Sequence, residues 1–356
     1  MNRLALLMQE IMDIESVSGN EGRLADLVEA RLAAHPHLEL HRDGDCVVAR
    51  TTLGRAERVV IAGHLDTVPV AGNLPSRLIE HPDGARIWGR GASDMKGGVA
   101  VMLTLAAELS APSRDITWIF YDHEEVEAAA NGLGRLSRGR PDLVAADFAV
   151  LMEPTNAQIE GGCQGTIRID LTATGTAAHS ARAWMGHNAI HDLAPVLATL
   201  AAYEPEEIEV EGLVYREGLN AVAISGGMAG NVIPPSATMQ VNYRFAPDKS
   251  VDEALARLRG WFPGREFVVA DASPAARPGL DRPAAHQFVA AIGEPARPKY
   301  GWTDVARFSE LGIPAVNYGP GDPSVAHRDD EFCPLSDLDK CADGLRRWLT
   351  PEGVTA

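Results

Sequence analysis

Short apolar runs at residues 59–62, 116–121, 148–152 and 313–318 recur along the chain. Runs of this length between polar and turn-forming residues read as strands buried on both faces. Residues 97–109, rich in Ala, Val and Leu, predict a helix, and residues 335–349 predict a closing one. Near the start of the chain, Leu4, Leu7, Met8 and Ile11 form a helical stripe. Strands alternating with helices predict an α/β layer structure. The pattern changes near Gly165. Ile167, Ile169 and Leu171 alternate with Arg168, Asp170 and Thr172, and Met239, Val241, Tyr243 and Phe245 alternate with Gln240, Asn242 and Arg244. Such alternation marks a sheet with one buried and one polar face. Ile190, Leu193, Leu197 and Leu200 lie at helical spacing with a kink expected at Pro195, and residues 251–262 predict a second helix. The expected organisation is an α/β domain, residues 1–164 and 277–356, interrupted by a small α+β domain, residues 165–276. Residues 272–279, rich in Pro, Ala and Gly, are the expected return linker.

Charge then excludes several partners. Against 32 Lys and Arg stand 49 Asp and Glu, a net charge of −17 over 356 residues. A field of that sign repels phosphate backbones, which excludes general binding to nucleic acid or an anionic membrane. No run approaches the ~20 apolar residues of a membrane span, and acids interrupt the N-terminal stretch before a signal-peptide core forms. Cys46, Cys163, Cys333 and Cys341 form no CxxC pair and fit reduced thiols, so a cytoplasmic protein is expected.

The candidate chemistry collects beyond the predicted strands. His64 and Asp66, two apart on an extended segment, project to one side. They read either as a hydrogen-bonded pair or as a metal ligand with the carboxylate that fixes its tautomer. Asp94 sits in the glycine-rich residues 89–98, as the N-cap of the next helix or as a ligand aimed by tight turns. That segment lacks the Gly-Lys-Ser/Thr ending of a phosphate loop, and nothing else supports Lys96 as a Schiff-base lysine. Glu124 and Glu125 are either a solvated charge run or adjacent acids held by a cation. Glu153 and His327 come after two further strands. Converging at one sheet edge, these residues supply the nitrogen and oxygen donors that two zinc ions sharing a bridging carboxylate need. One glutamate of the adjacent pair is then left to act as base.

In this order, with residues 15–21 ahead of them, the motifs resemble the dinuclear zinc amidohydrolase family of desuccinylases, deacetylases, aminoacylases and carboxypeptidases. The resemblance covers nearly the whole chain. It implies a zinc-peptidase-like catalytic domain with helices around a mixed sheet, and an inserted ferredoxin-like lid and dimerisation domain. It implies two Zn2+ per subunit, which Co2+ can replace, one on His64, Asp94 and Glu153 and the other on Asp94, Glu125 and His327. Asp66 would orient His64 and Glu124 would be the general base. Residues 175–182 are similar to the family's lid histidine motif, which implies a homodimer in which His179 steadies the oxyanion in the partner's site; a helix-capping histidine is the alternative. Residues 178–186, 215–222, 230–234 and 242–247 resemble the actinobacterial desuccinylase branch. The implied reaction is hydrolysis of N-succinyl-LL-2,6-diaminopimelate to succinate and LL-2,6-diaminopimelate by a metal-bound hydroxide, in lysine and diaminopimelate biosynthesis. A deacetylase or dipeptidase of the same family, or a metal-binding scaffold without catalysis, are the alternatives. Arg182, Arg244, Asn231 and Thr303 are the expected contacts to this small anionic amide, the arginines pairing with its carboxylates. Two departures stand out. His123 replaces an acid before the glutamate pair, and residues 319–323 replace an Asn-containing loop.

Overall fold

Strand Arg58–His64 is buried from Val59 to His64, which accounts for its lack of a polar face. It has parallel neighbours on both sides, Asp115–Tyr121 and Phe148–Leu151, and Ala315–Asn317 extends the parallel set. Pro314 has no N–H for the ladder, so that last strand is shorter than its apolar run. Antiparallel strands Glu39–Asp43 and Cys46–Arg50 flank one side, with Glu160–Gly161 and Arg297–Pro298 on the other, completing an eight-stranded mixed sheet. Helices Arg3–Met12, Gly97–Glu108, Pro283–Ile292 and Leu335–Leu349 bury apolar residues in one core with Trp118, Phe148, Phe288 and Trp348. Because the four inner strands are parallel, their carboxyl ends share one edge, where open α/β sheets bind ligands.

The computed structural model describes residues 2–350, which divide into two compact units. The first holds the sheet above and runs up to Gly161, over Pro278–Arg297 and from Thr303 onward; the second is Gly162–Arg277 with Pro298–Trp302. Residues 298–302, expected in the first domain, group with the second. The Gln164 N–H donates to the Lys299 carbonyl at 3.2 Å and the Trp302 indole to the Pro274 carbonyl at 3.1 Å.

Apart from a hairpin of Glu207–Val210 and Leu213–Arg216, the second unit runs strand, helices, strand, strand, helix, strand. Its strands lie in the order Gly218–Gly226, Ser236–Phe245, Gly165–Thr174, Val268–Ser273, each antiparallel to its neighbour. This is the split β-α-β arrangement of ferredoxin-like domains. Ile167, Ile169, Leu171, Met239, Val241 and Tyr243 share a core with Val196 and Leu258 from the helices. Helix Val251–Trp261 starts at a capping box formed by Ser250 and Glu253. The stretch around Pro195 is two helices, Ala189–Asp192 and Ala194–Ala201. Pro195 lies in the first turn of the second, where its missing N–H costs nothing. Ala272 and Ser273 belong to the edge strand, so the return linker is shorter than expected. Among the described residues no helix is long and apolar enough to cross a membrane.

Candidate metal centre

His64 ends its strand, Glu124 and Glu125 come just after Asp115–Tyr121, and Glu153 just after Phe148–Leu151. His327 lies beyond Ala315–Asn317, and Asp94 comes from the irregular turn Ala92–Lys96 ahead of helix Gly97–Glu108. The fold brings these side chains together. Asp94 lies between the histidines, its Oδ1 3.1 Å from His64 Nε2 and its Oδ2 3.2 Å from His327 Nε2. Glu125 approaches His327 Nε2 at 3.0 Å. Donor atoms of His64, Asp94 and Glu153 lie within 4.8 Å of one another, as do those of Asp94, Glu125 and His327. A third such group joins Glu124 to His64 and Glu125. Two sets of nitrogen and oxygen donors therefore share one carboxylate, with Glu124 beside them.

Asp66 is fully buried. Its Oδ1 accepts the Glu124 N–H and its Oδ2 the Glu125 N–H, both at 3.0 Å, and Ser18 donates to Oδ2 at 2.6 Å. His64 Nδ1 lies 3.0 Å from the Asp66 carbonyl oxygen and 3.4 Å from its Oδ1, so the backbone is the nearer acceptor. With Nδ1 donating there, Nε2 is the nitrogen presented to Asp94. Register explains the meeting: His64 pairs with Tyr121, so the loops after the two strands leave the sheet side by side.

Burial disfavours charge on His64, but bonds to Asp66 and Asp94 outweigh it and hold the imidazole well above its usual range. Bonds to Asp94 and then Glu125 push His327 up to about 10. Burial also opposes the Asp94 carboxylate, yet the two histidines hold it below its usual range. Asp66, buried but bonded to His64, Ser18 and the Glu124 N–H, falls to about 2. Glu124 goes the other way. Burial lifts it well above the usual range, His64 opposing and Glu153, Asp304 and Glu125 adding to it. Carboxyls whose environments push them apart are suited to different tasks, one to exchange protons and the others to ligate. Each donor set offers one imidazole and two carboxylates, a combination that suits a divalent ion such as zinc.

The other singled-out residues fall elsewhere. Buried Lys96 donates to the Ile14 carbonyl at 2.7 Å. His123 turns its Nδ1 to Asp122 at 2.9 Å and to Glu21 at 3.4 Å, outside the donor sets. Residues 319–323 pack as scaffold: the Gly319 carbonyl accepts from Thr155 and Ala157, and the Asp322 carbonyl from Ser93 Oγ. A Cβ on Gly319 would come within 2.2 Å of the Met152 carbonyl oxygen, so the approach requires glycine. Thr303 belongs to the first unit and donates to Asn317 Oδ1 at 2.8 Å. In the second unit His179 is exposed and caps the turn Ser180–Met185, its Nδ1 accepting from the Ala181 N–H at 3.1 Å. The Ser180 N–H donates to the Asn231 carbonyl at 2.8 Å, which gathers His179, exposed Arg182 and exposed Asn231 in one neighbourhood. Arg244 stands apart on strand Ser236–Phe245, half-buried, its Nε donating to Asn242 at 3.2 Å. Sequence reasoning missed two carboxylates. Buried Asp304 accepts from Asn131 and Arg307 near Glu124, and buried Glu331 contacts the Asp94 loop. The second was hidden in the charged run after His327.

Fold and site together define a metal-dependent hydrolase: the profile of peptidase family M20/M25/M40 matches residues 60–350, and the chain belongs to that family. Among its relatives, a Mycobacterium tuberculosis protein called "Putative succinyl-diaminopimelate desuccinylase DapE" is 53% identical over 346 residues, 96% of this chain and 97% of that one. The succinyl-diaminopimelate desuccinylase of Corynebacterium glutamicum is 45% identical over 356 aligned residues, covering 97% of this chain and 95% of that one. A tripeptidase from Staphylococcus aureus shares the fold, with a TM-score of 0.79 at 18% identity over 98% of this chain and 97% of that one.

Proposed function

We propose that this chain hydrolyses N-succinyl-LL-2,6-diaminopimelate to succinate and LL-2,6-diaminopimelate. The observation that carries the chemistry is Glu124, partly buried and pinned through its backbone N–H to Asp66, beside two donor sets that share Asp94. The choice of substrate is supported by the names of the two relatives above. His64, Asp94 and Glu153 would hold one Zn2+, and Asp94, Glu125 and His327 the other, with Co2+ able to substitute. Bound there, such ions polarise a carbonyl and acidify water. Glu124 takes a proton from the attacking water and returns it to the departing amine, a role suited to a carboxyl whose proton affinity burial has raised. Asp66 holds the Glu124 and Glu125 backbones still while this happens.

The carboxylates of the substrate call for cations, because burying them unpaired is costly. Arg182 and Arg244 take that role, with Asn231 as a polar contact. Thr303, whose hydroxyl donates to Asn317, is a further polar contact in this reading. We further propose a homodimer through the second unit. Its edge strand Gly218–Gly226 leaves Val222 and Ile224 each 53% exposed, and helix Ala194–Ala201 exposes Leu197. Such an edge invites pairing with a second copy. His179 would then serve the partner's site. The four cysteines, free and buried, support a cytoplasmic location.

The test is kcat/KM for succinyl-diaminopimelate and N-acetylornithine, in wild type and in Arg244→Lys. Lysine keeps the charge but loses the planar fork. A lost bond to a charged group costs ~1.5–3 kcal/mol, so roughly one to two decades in kcat/KM are expected for the succinyl substrate. Preference of the wild type for acetylornithine would overturn the substrate assignment. Preference for the succinyl amide with no effect of Arg244→Lys would overturn only the placement of that contact.

A further inference from the structure

Glu331 lies four residues beyond His327 and is 1% exposed. Both its oxygens are engaged, and by one loop. Oε1 accepts the Ser93 N–H at 2.9 Å and the Asp94 N–H at 3.0 Å. Oε2 accepts the Gly91 N–H and Arg90 Nη1, each at 3.1 Å. The Glu331 backbone carbonyl accepts the Gly89 N–H at 3.0 Å. Arg90 also donates to the carbonyls of Pro69 and Arg328, each at 3.1 Å, which ties the loop to the segment bearing His327. Gly91 permits the wrap with φ +77°, and Asp94 leaves the helical region at φ −120°, ψ 95°.

We infer that Glu331 is the positioning residue that fixes Asp94 between His64 and His327. The inference rests on the metal centre proposed above, but not on the identity of the substrate. Four N–H donors converge on one buried carboxylate, and only a group with two acceptor oxygens satisfies them. Glutamine keeps one oxygen and turns its NH2 toward N–H donors, leaving buried backbone donors unpaired. Because a single short segment carries both the ligand His327 and the anchor Glu331, the positions of Asp94 and His327 are coupled. Exchanging such an outer partner typically costs about 10–100-fold in metal affinity.

The experiment measures zinc affinity by competition with a chromophoric chelator, alongside the melting temperature of the metal-free protein. The proteins are wild type, Glu331→Gln, Asp94→Asn and the double variant. Glu331→Gln should bind zinc about 10–100-fold more weakly while remaining folded. The double variant should bind no more weakly than Asp94→Asn alone, because the effect of Glu331 passes through Asp94. Wild-type affinity in Glu331→Gln, or losses that add in full, would overturn the inference. If Glu331→Gln does not fold, Glu331→Asp carries the same test, since it keeps the charge but shortens the reach by one methylene. Wild-type affinity in that variant overturns the inference equally. Failure of the wild type to bind zinc would refute the metal centre itself, a separate and recognisable result.

Discussion

Loading the metal-free protein with zinc at neutral pH must first discharge two imidazolium rings. Neighbouring carboxylates hold His64 well above its usual range and His327 up to about 10. An imidazole ligates only after losing its proton, so protons and zinc compete for the same nitrogens. A histidine raised in the folded protein keeps its proton below that raised value, so zinc affinity climbs with pH until the value is reached and is flat above it. Each ring contributes close to tenfold per pH unit on the rising part. The rise on His327 should accordingly level off at about pH 10. From about pH 7 to about pH 9 the ion on His327 should therefore gain about a hundredfold in affinity. Calorimetric titration of zinc into chelator-stripped protein, in buffers of one pH but different ionisation enthalpies, counts the protons released. Two or more per chain are expected near neutral pH. His327→Ala should release one fewer. Release of less than one proton, or a flat affinity profile across this range, would refute the proposed competition.

Glu124→Ala should keep its metal and lose ~10²–10⁴-fold in kcat, with little change in substrate binding; metal analysis and steady-state kinetics check both halves, and loss of metal would exchange the roles of Glu124 and Glu125. Asp94→Ala should retain less metal after dialysis than Glu153→Ala or His327→Ala, because Asp94 faces both histidines; equal retention in all three would contradict a shared carboxylate. Mixing inactive His179→Ala with inactive Glu124→Ala subunits should restore activity, since one site of the mixed dimer holds both intact residues. No recovery after demonstrated subunit exchange would count against supply of His179 by the partner.

The residues His64, Glu124, Glu125 and Glu153 were legible as candidates because each sits at or just past the end of an apolar run that reads as a buried strand, and parallel strands deliver the residues at their carboxyl ends to one edge. Asp94 and His327 needed the order of the motifs as well, since neither adjoins its strand. The supporting shell was not legible. That Asp66 grips the backbone of Glu124 and Glu125 depends on His64 standing opposite Tyr121, a register no local pattern encodes. Glu331 was not singled out, because nothing near it in sequence reveals that it is buried against a loop 237 residues away. The alternating runs foretold two of the second unit's strands, Gly165–Thr174 and Ser236–Phe245, but not that residues 298–302 group with them. Hydrogen bonds to Gln164 and Pro274, both remote in sequence, accompany that grouping.

The position of Ala315–Asn317 bears on how the protein is made. This strand lies inside the eight-stranded sheet, in register with Ala149 to Leu151, yet the whole second unit intervenes in sequence. On the ribosome Phe148–Leu151 emerges long before its neighbour and waits with one edge unpaired, the kind of edge that recruits other chains. The second unit has its own sheet and core and can fold in the interval. The main sheet closes only when the C-terminal segment arrives, and contacts so remote in sequence form slowly. His327 and Glu125 are 202 residues apart, so a nascent chain has no complete second ion site to fill. Metal uptake at that site is thus reserved for the finished chain, and a product truncated before Ala315 would be both metal-poor and prone to aggregate.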